Sequence, residues 1–303
     1  METLSDQLVN ELKRKKRVDL SQLSLTLAVQ VAAQVVGVTD SRLPGMDRRL
    51  DAFFQQRTPP EHMGPLLRWK ALAGLLQLFQ QRHILAFYWL DVQPAIRVRK
   101  RQAQEDVISH LLSQNYTNAE ILTECITYAA AGMVTTREFI SIAAWHFLER
   151  PELRTRYLAA AEEERFEMLH ETLRLEPVVG HLYRRATADI PLESQGRQII
   201  ILEGDLINIH IYAANTDETV VGEEPLALCP GQAIDGERIP SMLLGFGDGH
   251  HRCPGSYLAI QETDIFLQRL LAVDTLHIER TPTLYWNELT TGYEVRNFLL
   301  TLT

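Results

Sequence analysis

Residues 117–150 carry one unbroken helical signal, and a helix of that length has to cross the middle of the domain that contains it. Thr117-Asn118-Ala119-Glu120 has the form of a capping box, a hydroxyl three residues ahead of a carboxylate at the start of an apolar run. Nothing breaks the pattern until Pro151, which ends it. The spacing predicts a helix of about thirty residues, long for a globular protein, with the remaining elements packed around it.

Those elements divide the chain by character. Leucine, alanine and valine recur at three- and four-residue steps over 20–36 and stop at Gly37, which predicts an amphipathic helix. A turn and a short helix around Leu50–Gln56 follow, then a helix over 65–90 that Pro94 interrupts ahead of the basic cluster Arg97–Arg101. Two shorter helices are predicted near 152–160 and 162–175. After Pro177 the runs LYRRATADIPL, QIIIL and LINIHIY are rich in β-branched residues, with Gly196 and Gly204-Asp205 as turns. A helix returns over 254–272, and LHIE and NFLLTL close the chain as strands. The expected fold is mainly α with small antiparallel β sheets (α+β), a single domain over residues 1–303.

Composition narrows the function classes. A formal net charge of −9 argues against binding along nucleic acid. Three cysteines cannot build a disulfide framework and suit a reducing, cytoplasmic compartment. The first twenty residues lack the apolar core of an export signal, and the basic run Lys13 to Arg17 reads as a solvated face. Arg68, Lys70 and Arg82 interrupt the apolar stretch 65–90, so no membrane span is expected.

The chemistry concentrates in Phe246-Gly247-Asp248-Gly249-His250-His251-Arg252-Cys253-Pro254-Gly255. Gly247 and Gly249 permit a tight turn. Cys253 then stands before Pro254, at the expected first turn of a helix whose N–H groups and dipole favour a thiolate. Gly255 lets the backbone approach the sulfur, so the segment holds one thiolate ready as a metal ligand. A buried free cysteine is the plainer alternative. Zinc on His250, His251 and Cys253 is another, but no matching second ligand pair occurs elsewhere.

The segment resembles the haem-binding segment of the cytochrome P-450 family, F-G-x-G-x-H-x-C-x-G, at every fixed position. The resemblance implies haem b, with Cys253 as axial ligand to the iron. Three further segments follow the family's order. Glu171-Thr172-Leu173-Arg174 resembles the E-x-x-R motif, a structural pair. Arg184-Arg185-Ala186 resembles the strand whose arginine contacts a haem propionate, which points to Arg184, with His251 as a second propionate contact. Ala213-Ala214-Asn215-Thr216-Asp217 resembles the A-N-x-D segment. In the long helix, Ala131-Gly132-Met133-Val134-Thr135-Thr136 resembles the segment over the distal haem face. There the resemblance gives Thr135 the proton-delivering hydroxyl. A threonine can also bond back to a carbonyl one turn earlier and open a groove for water.

Two departures qualify the resemblance. Val134 replaces the acid ahead of the threonine, so protons need another route through Glu138, Thr136 or solvent. The chain is also short for the family. RVDLSQLSLTLAVQVAAQVVGV (17–38) resembles the segment after the family's C helix, which would place the shortfall at the N-terminus. TPPEH (58–62) offers a competing alignment to the C helix, with Leu66 in the arginine position, and reads as a decoy. The resemblance implies a soluble, bacterial-type monooxygenase that acts on a small organic substrate with electrons from a ferredoxin or flavoprotein. The alternatives are a haem-binding protein with little or no turnover and a peroxide-driven oxygenase. A short N-terminus would also leave apolar surface open to self-association.

Overall fold

The computed structural model describes residues 1–54, 82–194, 196–230, 242–288 and 291–303. In chain order it begins with α1 (Glu2–Lys15), β1 (Arg17–Asp19), α2 (Leu20–Val36) and α3 (Met46–Phe54). Helical residues 82–87 run through a π turn, Tyr88–Val92, into α4 (Gln93–Arg101), and α5 (Val107–Ser113) follows. The long helical run is α6 (Asn118–Ala129), a π turn (Ala130–Val134) and α7 (Thr135–Glu149), succeeded by α8 (Pro151–Ala159) and α9 (Glu162–Leu175). Then come β2 (His181–Arg185), β3 (Ile190–Ser194), β4 (Arg197–Ile201), β5 (Leu206–His210), α10 (Ile211–Asn215) and α11 (Glu218–Val221). The chain closes with α12 (Ser256–Leu271), β6 (Leu276–Arg280), β7 (Thr283–Asn287), β8 (Gly292–Arg296) and β9 (Leu299–Leu302). The fold is mainly α with small antiparallel sheets, as expected from sequence.

The chain forms two compact units, Met1–Ser21 with Glu138–Thr303, and Gln22–Arg137. In the first, β1, β9 and β6 make a three-stranded antiparallel sheet in which Val18 faces Leu300 and Leu276 faces Leu302. The other ladders are two-stranded: β2 with β5, β3 with β4, and β7 with β8. Leu12, Phe147, Tyr157, Phe266 and Phe298 are fully buried and form the centre of the core, with the Phe147 and Tyr157 rings 4.5 Å apart. Tyr157 donates to buried Asp264, which also takes both forks of Arg165. The second unit packs Leu25 and Val29 of α2 against Val92, Ile96, Ile108 and Ile121. Its ionic anchor is Arg99, which donates to Asp106 at 2.7 Å, to Thr39 at 2.8 Å and to Asp40.

Most boundaries follow the sequence reading, and the differences have local causes. The capping box at Thr117 and Glu120 is present with both bonds made, and Gly37 ends α2 at φ +93°. Pro94 does not interrupt its helix. It sits in the first turn of α4, directly after the π turn, and the Leu90 carbonyl that its missing N–H cannot reach accepts from the Arg42 N–H at 2.8 Å. The short helix starts earlier than expected, at Met46. The TPPEH segment, Leu66 and most of the helix expected over 65–90 lie outside the described residues. Strands β1, β7 and β8 have no counterpart in the sequence reading, because the tripeptide Arg17–Asp19 becomes a strand only by pairing with the far end of the chain.

Candidate functional site

The thiol loop belongs to the first unit. Gly247 and Gly249 have φ of +68° and +58°, so both positions need glycine. A methyl on Gly247 would also sit 3.1 Å from the His251 carbonyl oxygen. These turns bring the Cys253 N–H onto the Phe246 carbonyl at 2.8 Å, and the Gly247 N–H onto Leu244 at 2.9 Å. Gly255 is the N-cap of α12 and Ser256 its first residue, so Pro254 precedes the helix and is not in its first turn. Cys253 is half-buried, and a methyl on Gly255 would come within 4.0 Å of its sulfur. His251 ends a single 3₁₀ turn and is exposed.

Under the loop lies the pair from α9. Arg174 clasps Glu171 through Nε at 2.7 Å and Nη2 at 2.8 Å. Its remaining donors reach the carbonyls of Asn215, Pro225 and Ala227. Glu171 also accepts the Cys229 N–H at 3.1 Å. Asn215 Nδ2 donates a hydrogen bond to the Arg174 carbonyl at 3.1 Å, and its Oδ1 accepts the Leu244 N–H at 2.9 Å, at the head of the thiol loop. Asn215 is the residue whose importance the sequence pattern understated. It is fully buried and joins the ion pair to the loop.

Of the two neighbouring arginines on β2, Arg185 is exposed and spends its guanidinium on the Gly204 carbonyl. Arg184 is half-buried, paired with Ile207, and bonds only the Tyr183 carbonyl among the described residues. Among the described residues its other N–H groups have no partner.

In the second unit, the π turn falls on Ala130–Val134, the segment singled out for small residues and a threonine. Thr135 Oγ1 donates to the Ala131 carbonyl at 2.6 Å, the back-bond expected from the sequence. Ala131 is exposed, Thr135 half-buried and Val134 buried, so valine faces the packed side of the helix. A methyl on Gly132 would meet only Ala32, at an ordinary 3.8 Å. Packing alone does not demand glycine there, although glycine in a helix costs about 1 kcal/mol.

Glu138, one of the three proton routes considered with Thr136 and solvent, is buried, accepts the Val295 N–H at 2.6 Å and pairs with Arg296 at 2.7 Å. Thr136 is also buried.

The three thiols differ in chemistry. Burial, with Glu124 and Asp106 adding to it, pushes the Cys125 thiol up to about 12, which makes it inert. Cys229 is exposed. Cys253 is half-buried on the turn that its own N–H closes on the Phe246 carbonyl. Among the described residues no cluster of three His, Cys, Asp or Glu could hold a bare ion. One partly shielded thiol, with Arg184 N–H groups in the same unit that have no partner among the described residues, fits an iron whose other ligands come from a porphyrin.

Known proteins agree with this geometry. A family model described as cytochrome P-450 matches residues 167–282, which contain the ion pair, Arg184, Asn215 and the thiol loop. The biotin biosynthesis cytochrome P-450 of Bacillus subtilis is 27% identical over 278 residues, 87% of this chain and 62% of the relative. Cytochrome P-450 119 of Sulfolobus acidocaldarius is 29% identical over 198 residues, covering 62% of this chain and 48% of the relative. The crystal structure of CYP109B1 from Bacillus subtilis superposes with a TM-score of 0.74 at 22% identity, covering 99% of this chain and 77% of that one. The chain thus spans about half the length of the curated relatives it matches, from 38% of one to 65% of another. No helix among the described residues is long and apolar enough to cross a membrane.

Proposed function

We propose that residues 1–303, which are similar to cytochromes P-450, act as one haem-binding domain of a monooxygenase of that family that inserts one oxygen atom from dioxygen into a small organic substrate. Haem b, when bound, supplies the oxygen-activating chemistry. Electrons come from a separate ferredoxin or flavoprotein, and the setting is cytoplasmic. The observation that carries this reading is the loop 246–255, closed by the Cys253 N–H on the Phe246 carbonyl, with a thiol ready to ligate iron.

The chain's own residues divide the work. Cys253 provides the thiolate. Phe246, Gly247, Gly249 and Gly255 set its position and let the backbone come close. Arg184 and His251 offer N–H groups to the propionates. Ala131 and Gly132 keep the helix face low, so a flat group can approach the backbone. Thr135 Oγ1 holds its proton on the Ala131 carbonyl and leaves its lone pairs open to water, so it can take a proton from solvent as it gives one up. Val134 takes no part in that transfer, and solvent is the proton source. Glu171 and Arg174 hold the loop's foundation. The apolar residues Ile190, Leu192, Ile199 and Ile200 of the β3–β4 hairpin are exposed and support self-association.

The test is the carbon monoxide difference spectrum of the reduced, haem-reconstituted protein. A thiolate-type spectrum is expected, lost in Cys253→Ala and kept in Cys229→Ala. The reverse pattern would overturn the assignment. With a generic ferredoxin system, Thr135→Ala should release more peroxide per electron consumed than the parent chain.

A further inference from the structure

The β3–β4 hairpin of the first unit is apolar on both faces. Ile190, Leu192 and Ile199 share one face, Ile200 and Leu202 the other, and all five are exposed. A two-stranded ladder of this kind is marginal in water and gains from further pairing. Its two edges differ. Ser194 pairs with Arg197 across a two-residue turn, so the hydrogen-bonded pairs are this one, Leu192–Ile199 and Ile190–Ile201. Pro191 faces Ile200 at an intervening position, where the N–H it lacks would have pointed outward. The β3 edge is thus blunted by a proline. On the β4 edge the N–H and C=O groups of Gln198 and Ile200 point outward, and no other segment bonds them among the described residues.

The sequence along this edge is self-complementary. In Arg197-Gln198-Ile199-Ile200-Ile201-Leu202-Glu203 a cation stands three residues before Ile200 and an anion three residues after it. Both are exposed, and neither side chain has a partner among the described residues. Antiparallel pairing of this strand with a second copy, centred on Ile200, sets Arg197 opposite Glu203 at each end and Ile199 opposite Ile201 between them. Centring it on Ile199 would instead set Arg197 against Ile201, so the charges select the first register. That register also uses the outward backbone groups. Ile200 exchanges both of its bonds with the second copy's Ile200, and the Gln198 N–H meets the second copy's Leu202 carbonyl. The Leu202 N–H is already held by the Asp205 carboxylate at 2.9 Å, which ends the pairing there.

We propose that the β4 edge is a docking surface for a second copy of this chain, joined strand to strand about a two-fold axis at Ile200 and locked in register by two Arg197–Glu203 pairs. The result is a four-stranded sheet, β3-β4-β4-β3, with continuous apolar faces and proline-blunted outer edges. The proposal rests on the self-association read above from the same hairpin, and gives it an edge and a register. It does not depend on the haem chemistry.

The test is sedimentation equilibrium of the haem-loaded full chain over a concentration series, where a monomer–dimer equilibrium is expected. Arg197→Glu and Glu203→Arg each turn two attractive pairs into repulsive ones, and each should weaken the dimer about tenfold or more. An equimolar mixture of these two variants should regain the parent's affinity, because every cross-copy pair is then opposite in charge again. Ile200→Pro removes the two central donors without touching the hairpin's own ladder, and should leave a monomer with an unchanged circular dichroism spectrum. A parent chain that stays monomeric throughout would overturn the self-association and this proposal together. A dimer indifferent to Ile200→Pro would overturn the edge pairing alone, and charge variants that fail to rescue one another would overturn the register.

Discussion

Glu171 and Glu138 are both carboxylates buried in the first unit, and each meets an arginine at 2.7 Å. The structure built around them differs. All five N–H groups of Arg174 are used: two on Glu171 and three on the carbonyls of Asn215, Pro225 and Ala227. Glu171 adds the Cys229 N–H. This cluster fastens three backbone segments to α9, and through Asn215 it reaches the thiol loop. Arg296, by contrast, doubles one N–H group over both oxygens of Glu138 and gives another bond to its own neighbour's carbonyl. Its Nη2 lies 3.0 Å from Glu294 without hydrogen-bond alignment. These bonds fasten α7 to β8. Isolated buried pairs tend to break even against desolvation, so the worth of each depends on how many other groups it satisfies. By that measure the Glu171 cluster, with every Arg174 N–H satisfied, is a foundation for the site, whereas the Arg296 beside Glu138 keeps a nitrogen without a hydrogen bond.

The contrast can be broken most directly at Glu171. Glu171→Ala leaves Arg174 buried without its counter-charge and should cost about 3–5 kcal/mol in denaturant unfolding. Haem uptake should fall with it, because the loop loses its support. A variant as stable as the parent would remove the distinction. Glu138→Gln keeps an acceptor for the Val295 N–H but neutralises the ion pair, and the expected loss is about 1–3 kcal/mol with haem uptake unchanged. If it proved costlier than Glu171→Ala, the ranking would reverse. Thr117→Ala tests a purely local device. It removes a helix cap from an exposed site, and should cost about 1 kcal/mol with no effect on the haem spectrum.

The smallest expected effect is a pH slope from a third acid, Asp106 in the other unit. Burial opposes its ionisation, but the bonds from Arg99 and Ser109 outweigh burial and hold its carboxyl below the ordinary value. The native chain therefore keeps Asp106 ionised where the unfolded chain takes up a proton. Its stabilisation is complete above about pH 4, the ordinary Asp value, and is lost as pH falls through the lowered one. Melting temperatures measured downward from pH 5 should fall less steeply in Asp106→Asn than in the parent. Parallel curves would show that the acid contributes no proton linkage.

The site was readable to different depths. The thiol loop was legible because its chemistry lies within ten consecutive residues. Glycines at fixed offsets set its turns, and a proline and a glycine place the sulfur ahead of a helix. The Glu171–Arg174 pair and the Thr135–Ala131 back-bond were legible because i,i+3 and i,i+4 positions meet on any helix. The ion pair of Glu138 with Arg296 is not legible in the sequence, because its partner stands on β8, 158 residues away. Pro94 was misread as a helix break because the Arg42 N–H that satisfies the freed carbonyl belongs to another segment.

Features set within one or two turns of backbone follow from the chain alone. This covers the capped start of the long helix, the left-handed glycines of the thiol loop, the face that Glu171 shares with Arg174, and the mainly helical class. Tertiary structure decided every pairing that depends on strand register or on two distant segments sharing a volume. Arg17 became a strand residue opposite Thr301, His181 came to face His210, and Asn215 became the link between the ion pair and the loop. The reason is physical. Local geometry is set by covalent neighbours whose separation is fixed. A long-range contact is set by how whole elements minimise exposed apolar surface and unpaired polar groups together, and no short window of residues contains that balance.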